Sequence, residues 1–336
     1  MRANSKARII GTGRYIPEKV LSNQDLEKMV ETSDEWIVSR TGMKERRIAR
    51  ADEFTSDMGY AAALQAMEVA KISPEDIDLI LVASLTPDYV FPSTACLIQA
   101  RLKAVNAAAV DIQAACTGYL YALSQAKAYI ESGLYKNVLI VASEKLSTIV
   151  NYTDRNTCVL FGDGASACVV SNQGKGLVVR DIRLGADGEL AELILLPAGG
   201  SRNPATAETV CAQLHYLRME GKEVFKHAVR RMEAVAKQCL DNVGLAESQI
   251  SWLVPHQANM RIIEAIAKRF EVPWERVYLT IHKYGNTSAS AIGIALDELL
   301  REKEVKEGEN ILLTAFGAGL TWGASVLTQT GEENHE

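Results

Sequence analysis

The chain has 336 residues, 48% of them hydrophobic and 23% charged, with a formal net charge of −6. That is apolar material for a sizeable core in one large domain or two ordinary ones, and an acidic chain has no general attraction for nucleic acid. The opening MRANSKARIIGTG lacks the long apolar segment of a secretory signal and no apolar run approaches a membrane span, so a soluble, cytoplasmic protein without nucleic-acid or membrane partners is expected.

Near the start, Ser22 and Ser33 precede SNQDLEKMV and SDEWIVSR as N-caps of two short helices, with a basic stretch after them. Apolar β-branched runs then alternate with amphipathic ones: a strand over Ile77–Ala83, a helix over Ser93–Leu102, a strand over Ala107–Gln113, and a helical pattern reaching Ile130. Gly133 stops that helix, and Val138–Ser143 reads as the next strand. Further on, Ile250–Val254 reads as a strand whose end, through Gln257, Ala258 and Asn259, leads into a helix. This is α/β wiring. The six cysteines contain no CxxC pair and the five histidines no HExxH or HxxxH, so neither a zinc site nor a metal cofactor is expected.

A faint internal repeat runs through this pattern. EDIDLILVASLTPD resembles SQISWLVPHQANM when Ile77 is set on Ile250, and NVLIVASE resembles NILLTAFG when Val138 is set on Ile311; both registers differ by 173 positions. Chance similarity between buried strands is the competing explanation, but a shared offset points to two halves, 1–174 and 175–336, with strand ends of both around one site.

Three residues bear on that site. Cys116, in DIQAACTGYLYAL, follows a strand-like run and opens a helical one, a position that exposes a thiol to a helix N-terminus and lowers its pKa. His256, in WLVPHQANMR, ends a strand before a helix, where a side chain points into a crevice. Asn286, in HKYGNTSASAIG, is equally suited to a turn or an N-cap. Taken singly, a buried inert cysteine, a structural histidine and a capping asparagine are the commoner readings.

Together, Cys116, VPHQAN around His256, YGNTSA around Asn286, FGDGA at 161–165 and AFGAGLTWG at 315–323 resemble β-ketoacyl-acyl-carrier-protein synthase III, the initiating condensing enzyme of type II fatty-acid synthesis. TSDEWIVSRTGMKERR at 32–47 and TDRNT at 153–157 extend the likeness over nearly the whole chain. The resemblance implies a thiolase fold, a five-layered αβαβα sandwich of two similar halves, and a homodimer. It implies that Cys116 takes an acyl group from a short acyl-CoA, its oxyanion held by the backbone N–H groups of Cys116 and Ala318. Malonyl-acyl-carrier protein then loses carbon dioxide, its enolate held by Nε2 of His256 and the amide of Asn286, and attacks the acyl group. Acyl-CoA is thus a substrate, and no cofactor is needed.

Other positions carry over by motif. Trp36 and Arg155 resemble the pair that sandwiches the adenine of coenzyme A, Arg40 a phosphate contact, and Asn259 with Gly221 the lining of the pantetheine tunnel. Arg261, Lys268 and Arg269 form a basic patch on one helix for the acidic carrier protein. The resemblance further implies that Phe91, reaching across the dimer, lines the acyl pocket with Leu146, Val159, Leu160 and Phe225; the bulk of Phe91 suggests a short primer such as acetyl. Ala318 stands where a glycine is common, which restricts its backbone. Cys158, near this wall, is expected to be unreactive. Alternatives are a related thiolase-fold enzyme such as a polyketide starter synthase or hydroxymethylglutaryl-CoA synthase, a papain-like hydrolase, whose CG[SA]CW context is missing, and a non-catalytic acyl-binding protein.

Overall fold

The computed structural model describes residues 6–331. Its strands are β1 (Arg8–Tyr15), β2 (Lys19–Ser22), β3 (Glu45–Ile48), β4 (Leu79–Ala83), β5 (Ala108–Ile112), β6 (Asn137–Glu144), β7 (Gly164–Ser171), β8 (Gly176–Ala186), β9 (Ile194–Leu195), β10 (Arg218–Met219), β11 (Ile250–Pro255), β12 (Asn310–Gly317) and β13 (Thr321–Thr330). The helices are α1 (Asn23–Glu27), α2 (Asp34–Thr41), α3 (Thr55–Ala70), α4 (Thr94–Leu102), α5 (Gly118–Glu131), α6 (Arg155–Cys158), α7 (Ala207–Cys211), α8 (Gly221–Val243), α9 (Met260–Arg269), α10 (Ile281–Tyr284) and α11 (Ser290–Glu302). The capping serines act as read: Ser22 accepts from the N–H of Asp25 and Ser33 from that of Trp36. α5 runs out one residue before Ser132, and Gly133 follows at φ +73°.

Nine strands form one sheet in the order β11-β12-β13-β8-β1-β7-β6-β4-β5. β4 pairs parallel with β5 and β6, and β11 pairs parallel with β12. Such strands are covered on both faces, which is why LILVA and NILLTAFG are apolar without polar alternation. The alternation instead divides two cores: Leu79, Leu81 and Ala83 face a central cluster, while Ile80 and Val82 face an outer one. The central cluster is filled by α5 and α11; α3 and α4 cover one outer face and α8 and α9 the other, giving five layers.

The strand order is a near mirror. β1, β7, β6 and β4 follow one another outward from the centre, as do β8, β13, β12 and β11, and the two sets meet where Arg8 and Ile9 pair with Val178 and Leu177. β6 and β12 are eight residues each and start 173 positions apart, and both β4 and β11 follow a short 3-10 turn. The turn between β7 and β8 contains positions 174 and 175. This symmetry brings the turn after β5 and the ends of β11 and β12 to the middle of the molecule.

Candidate active site

Cys116 lies in a single 3-10 turn, Ala115–Thr117, that leads directly into α5. The bend is tight enough to put Ala115 at φ +45°, a region that L-residues seldom occupy. Gly317, at the end of β12, passes so close that a Cβ there would lie 2.9 Å from the Cys116 nitrogen. Only glycine fits this approach. Thr117 Oγ1 donates to Thr321 Oγ1 at 2.8 Å, and Thr321 Oγ1 donates to the Ala318 carbonyl at 2.9 Å, so the thiol turn and the 317–321 loop are held together. The left-handed backbone of that loop falls on Gly319, at φ +136°; Ala318 does not adopt it. The restriction expected at Ala318 is therefore absent.

His256 continues the β11 pairing, its N–H donating to the Thr314 carbonyl at 2.8 Å. The next residue, Gln257, explains its fixed orientation. Gln257 Nε2 donates to the carbonyls of Pro255 and Tyr278, and its Oε1 accepts the N–H groups of Thr280 and Ile281. The imidazole itself is 3% exposed, and neither ring nitrogen has a protein partner among the described residues. Burial pushes its pKa down to about 4, leaving a neutral ring with one N–H to donate at pH 7.

Asn286 is buried and its main chain is clasped on both sides: its N–H donates to the Leu160 carbonyl at 2.9 Å and its carbonyl accepts from Gly162 at 3.1 Å. The side-chain Oδ1 accepts the N–H of Ser288 at 2.8 Å. With its oxygen engaged, the amide NH2 is the end turned to the Cys116 sulfur.

Cys116, His256, Asn286, Ser288 and Ala318 line one cavity, whose remaining walls are largely apolar. The sulfur corrects one expectation. The thiol pKa is raised to about 11, chiefly by burial, with the Glu144 carboxyl adding to it; hydrogen bonding from Ser288, the Cys116 backbone and Asn286 acts in the opposite sense but is outweighed. Glu144, at the end of β6, is fully buried and itself pushed up to about 7 by that burial. Its Oε2 accepts from Ser84, Leu85 and Thr86, while Oε1 has no partner among the described residues. Ser288 lies within the YGNTSA run quoted for Asn286 but was not singled out, and Glu144 closes the repeated NVLIVASE strand. The repeated strand end that places Glu144 level with Gly317 was the available signal.

The acyl wall also departs from expectation. Of the five residues named, only Leu146 lines the cavity. On α8 the lining residues are Val224, Ala228 and Met232, spaced by one helical turn, so Phe225 is rotated off that face and 37% exposed. Phe161 takes the place expected of Val159 and Leu160; the carbonyls of these two are occupied by Arg46 and Asn286. Phe91 lies outside the cavity of its own chain and is 84% exposed. Cys158 is buried, and burial raises its thiol to about 11.

Around the mouth, the Arg155 guanidinium lies directly over the Trp36 ring, 4.9 Å from its centroid, and donates to the Glu31 carbonyl. That spacing leaves no room for a base between them, so a sandwich requires the pair to open. Arg40 is exposed, and its carbonyl accepts the Asn259 amide at 3.2 Å. Asn259 caps α9 through Arg261, while Ala258 lines the cavity in its stead. Gly221 is exposed at the first residue of α8. Arg261 and Lys268 are exposed on α9, but Arg269 is bonded to Glu233 and Glu247, which removes it from a free basic patch. Among the described residues no group of His, Cys, Asp and Glu converges to hold a metal, and no helix is long and apolar enough to cross a membrane.

Comparison with known proteins places this geometry. Residues 110–188 match the family model of 3-oxoacyl-[acyl-carrier-protein] synthase III, and residues 240–329 match its C-terminal model. The chain is 60% identical over 325 residues to beta-ketoacyl-[acyl-carrier-protein] synthase III of Chlamydia muridarum, covering 96% of this chain and 99% of the relative. It superimposes on the crystal structure of 3-oxoacyl-[acyl-carrier-protein] synthase III from Aquifex aeolicus with a TM-score of 0.88 at 50% identity, covering 96% of this chain and 99% of that one. It also superimposes on the priming beta-ketosynthase of the R1128 polyketide pathway with a TM-score of 0.90 at 34% identity, covering 99% of each. The mirrored α/β layers are the thiolase fold, and the chain belongs to the beta-ketoacyl-acyl-carrier-protein synthase III family of acyltransferases.

Proposed function

We propose that this enzyme condenses a short acyl-CoA, acetyl-CoA first among them, with malonyl-acyl-carrier protein to initiate fatty-acid synthesis. The supporting observation is one largely apolar cavity with Cys116, His256 and Asn286 together on its wall. In the first half-reaction Cys116, a thiol at rest, gives up its proton as its sulfur attacks the thioester carbonyl, the oxyanion is held by the N–H groups of Cys116 and Ala318, and the C–S bond breaks with that proton ending on the departing coenzyme A sulfur. In the second, malonyl loses carbon dioxide and its enolate oxygen is met by the neutral imidazole and the Asn286 amide. The enolate carbon then attacks the acyl carbon, and the Cys116 sulfur departs.

A neutral histidine suits this division better than a cationic one would. Its low pKa makes it a weak base, so hydrogen-bond donation is the role its burial favours. Acyl-CoA enters past Trp36, Arg40 and Arg155, along Asn259 and Gly221, and the carrier protein docks on Arg261 and Lys268. The protein acts as a homodimer of duplicated halves, 1–174 and 175–336, with Phe91 of each protomer reaching the other's cavity; the exposure of Tyr89, Val90 and Phe91 is consistent with that.

The test is product analysis with malonyl-acyl-carrier protein and a panel of acyl-CoA primers. A 3-ketoacyl-acyl-carrier protein two carbons longer than a short primer is expected. Condensation only with primers of specialised metabolism would favour the polyketide-starter reading, and no condensation with any primer would refute both.

A further inference from the structure

Arg46, on β3, has no exposed surface. Its guanidinium bonds to neutral groups: Nε donates to the Val159 carbonyl at 3.0 Å, Nη2 donates to the same oxygen, and Nη1 donates to Oδ1 of Asn23. Burial lowers its pKa to about 10, which still leaves it a cation at neutral pH. A buried cation whose hydrogen bonds all go to neutral dipoles, with the Asp34 carboxylate acting on it only through space, is a poor device for stability, because a packed apolar side chain of the same volume often serves as well. What its bonds hold in place is the more informative question.

They lead to Asn286. From Val159 the chain runs to Leu160, whose carbonyl takes the Asn286 N–H, and to Gly162, whose N–H meets the Asn286 carbonyl; Phe161 and Asn286 form a parallel bridge between the two segments. Gly285, at φ +65°, lies against the Arg46 stem, so that a Cβ there would sit 2.9 Å from the Leu160 oxygen and 3.0 Å from Arg46 Cγ. The head of Arg46 fixes one segment of the bridge and its stem supports the other. In the opposite direction, Asn23 Nδ2 donates to Asp34 Oδ1 at 2.7 Å and to the Met43 carbonyl at 2.9 Å. Asp34 opens α2, the helix that carries Trp36 and Arg40.

We propose that Arg46 is a positioning residue: it sets the Asn286 amide in the cavity through the 159–162 segment, and through Asn23 it ties that amide to the helix at the coenzyme A mouth. The proposal rests on the reading of Asn286 as an enolate donor. An error of an ångström in such a donor costs far more in the step it serves than in any other, so the two half-reactions should separate.

The experiment compares Arg46→Lys, which keeps the charge but has too few donors in the right plane, with Arg46→Met, which keeps the volume and removes both. Three readouts are taken on the full chain: single-turnover acylation of Cys116 by saturating acyl-CoA, carbon dioxide release from malonyl-acyl-carrier protein, and KM for acyl-CoA. Asn286→Ala is run beside them. The expected result is a fall of about tenfold or more in carbon dioxide release in both Arg46 variants, acylation within about threefold of the parent, and a raised KM for acyl-CoA. Parallel loss of both half-reactions, no loss, or failure of even Arg46→Lys to fold would make Arg46 a scaffold residue and overturn the proposal. Selective loss in Asn286→Ala but not in the Arg46 variants refutes Arg46 alone. Unchanged carbon dioxide release in Asn286→Ala instead refutes the reading of the site on which the proposal stands.

Discussion

At Cys116 two effects act on one sulfur in opposite directions. The N-terminus of α5 and its hydrogen-bond donors favour the thiolate, while enclosure and the nearby Glu144 carboxyl favour the thiol, and the second pair prevails at about 11. Because burial raises Glu144 to about 7, its negative charge develops as pH rises past neutrality, before the thiol ionises. Replacing it by glutamine removes a like charge, so the thiol pKa must fall. We predict that Glu144→Gln speeds alkylation of Cys116 by iodoacetamide between pH 7 and 9, about tenfold for each unit the thiol drops. Peptide-level mass spectrometry against time measures it; a slower rate at every pH would show that the carboxyl assists the thiol instead. The position of Cys116 at a strand-to-helix turn was legible because strand, turn and helix are all local in sequence. Its ionisation was not, because Glu144, Asn286 and Ser288, which act on it, come from segments distant in sequence.

At the scale of elements, what was legible was whatever a few consecutive residues decide: the capping serines, the doubly buried strands, the glycine stop after α5. Which face of a helix meets a cavity depends on its rotation against a distant partner. On α8, a misjudgement of one residue turns a side chain by about 100°, which is the difference between Val224 and Phe225. Val224→Trp is accordingly predicted to shorten the range of primers accepted, whereas Phe225→Ala leaves it unchanged. Competition between acyl-CoA chain lengths tests this, and the reverse pattern would return Phe225 to the wall. One member of the basic patch on α9 is lost in the same manner, since Glu233 and Glu247 lie 36 and 22 residues from Arg269 in sequence yet hold it in space. Arg261→Glu and Lys268→Glu should each raise KM for malonyl-acyl-carrier protein and flatten its dependence on salt, while Arg269→Glu should do so less. Equal effects at all three positions would mean that the ion pairs of Arg269 yield to the carrier.

At the scale of the whole molecule, two buried titrating groups set opposing demands on stability. Glu144 binds its proton more tightly folded than unfolded, so its contribution is lost as pH rises from about 4.5 to about 7. His256 binds its proton less tightly folded, so its contribution is lost as pH falls from about 6.5 to about 4. Over the shared window the two oppose each other. The Tm of Glu144→Gln relative to the parent is therefore predicted to rise steadily as pH increases from 4.5 to 7, and a difference independent of pH would mean that Glu144 is not strained by its burial. The mirrored halves explain why such groups collect here. The internal offset of 173 made that arrangement readable from the chain, because duplicated strands keep their apolar pattern; the loops between them, including the one that supplies Ser288, keep none.

In the proposed mechanism Cys116 holds the acyl group while His256 and Asn286 serve a second, separate step. The most direct measurement is intact-protein mass spectrometry of Asn286→Ala after acetyl-CoA, followed by addition of malonyl-acyl-carrier protein. The expected result is an acetyl adduct on Cys116 formed at nearly the parent rate, absent in Cys116→Ser, and then discharged about a hundredfold or more slowly, the usual loss for one oxyanion donor. An adduct on any other residue, or equal slowing of its formation and its discharge, would contradict it.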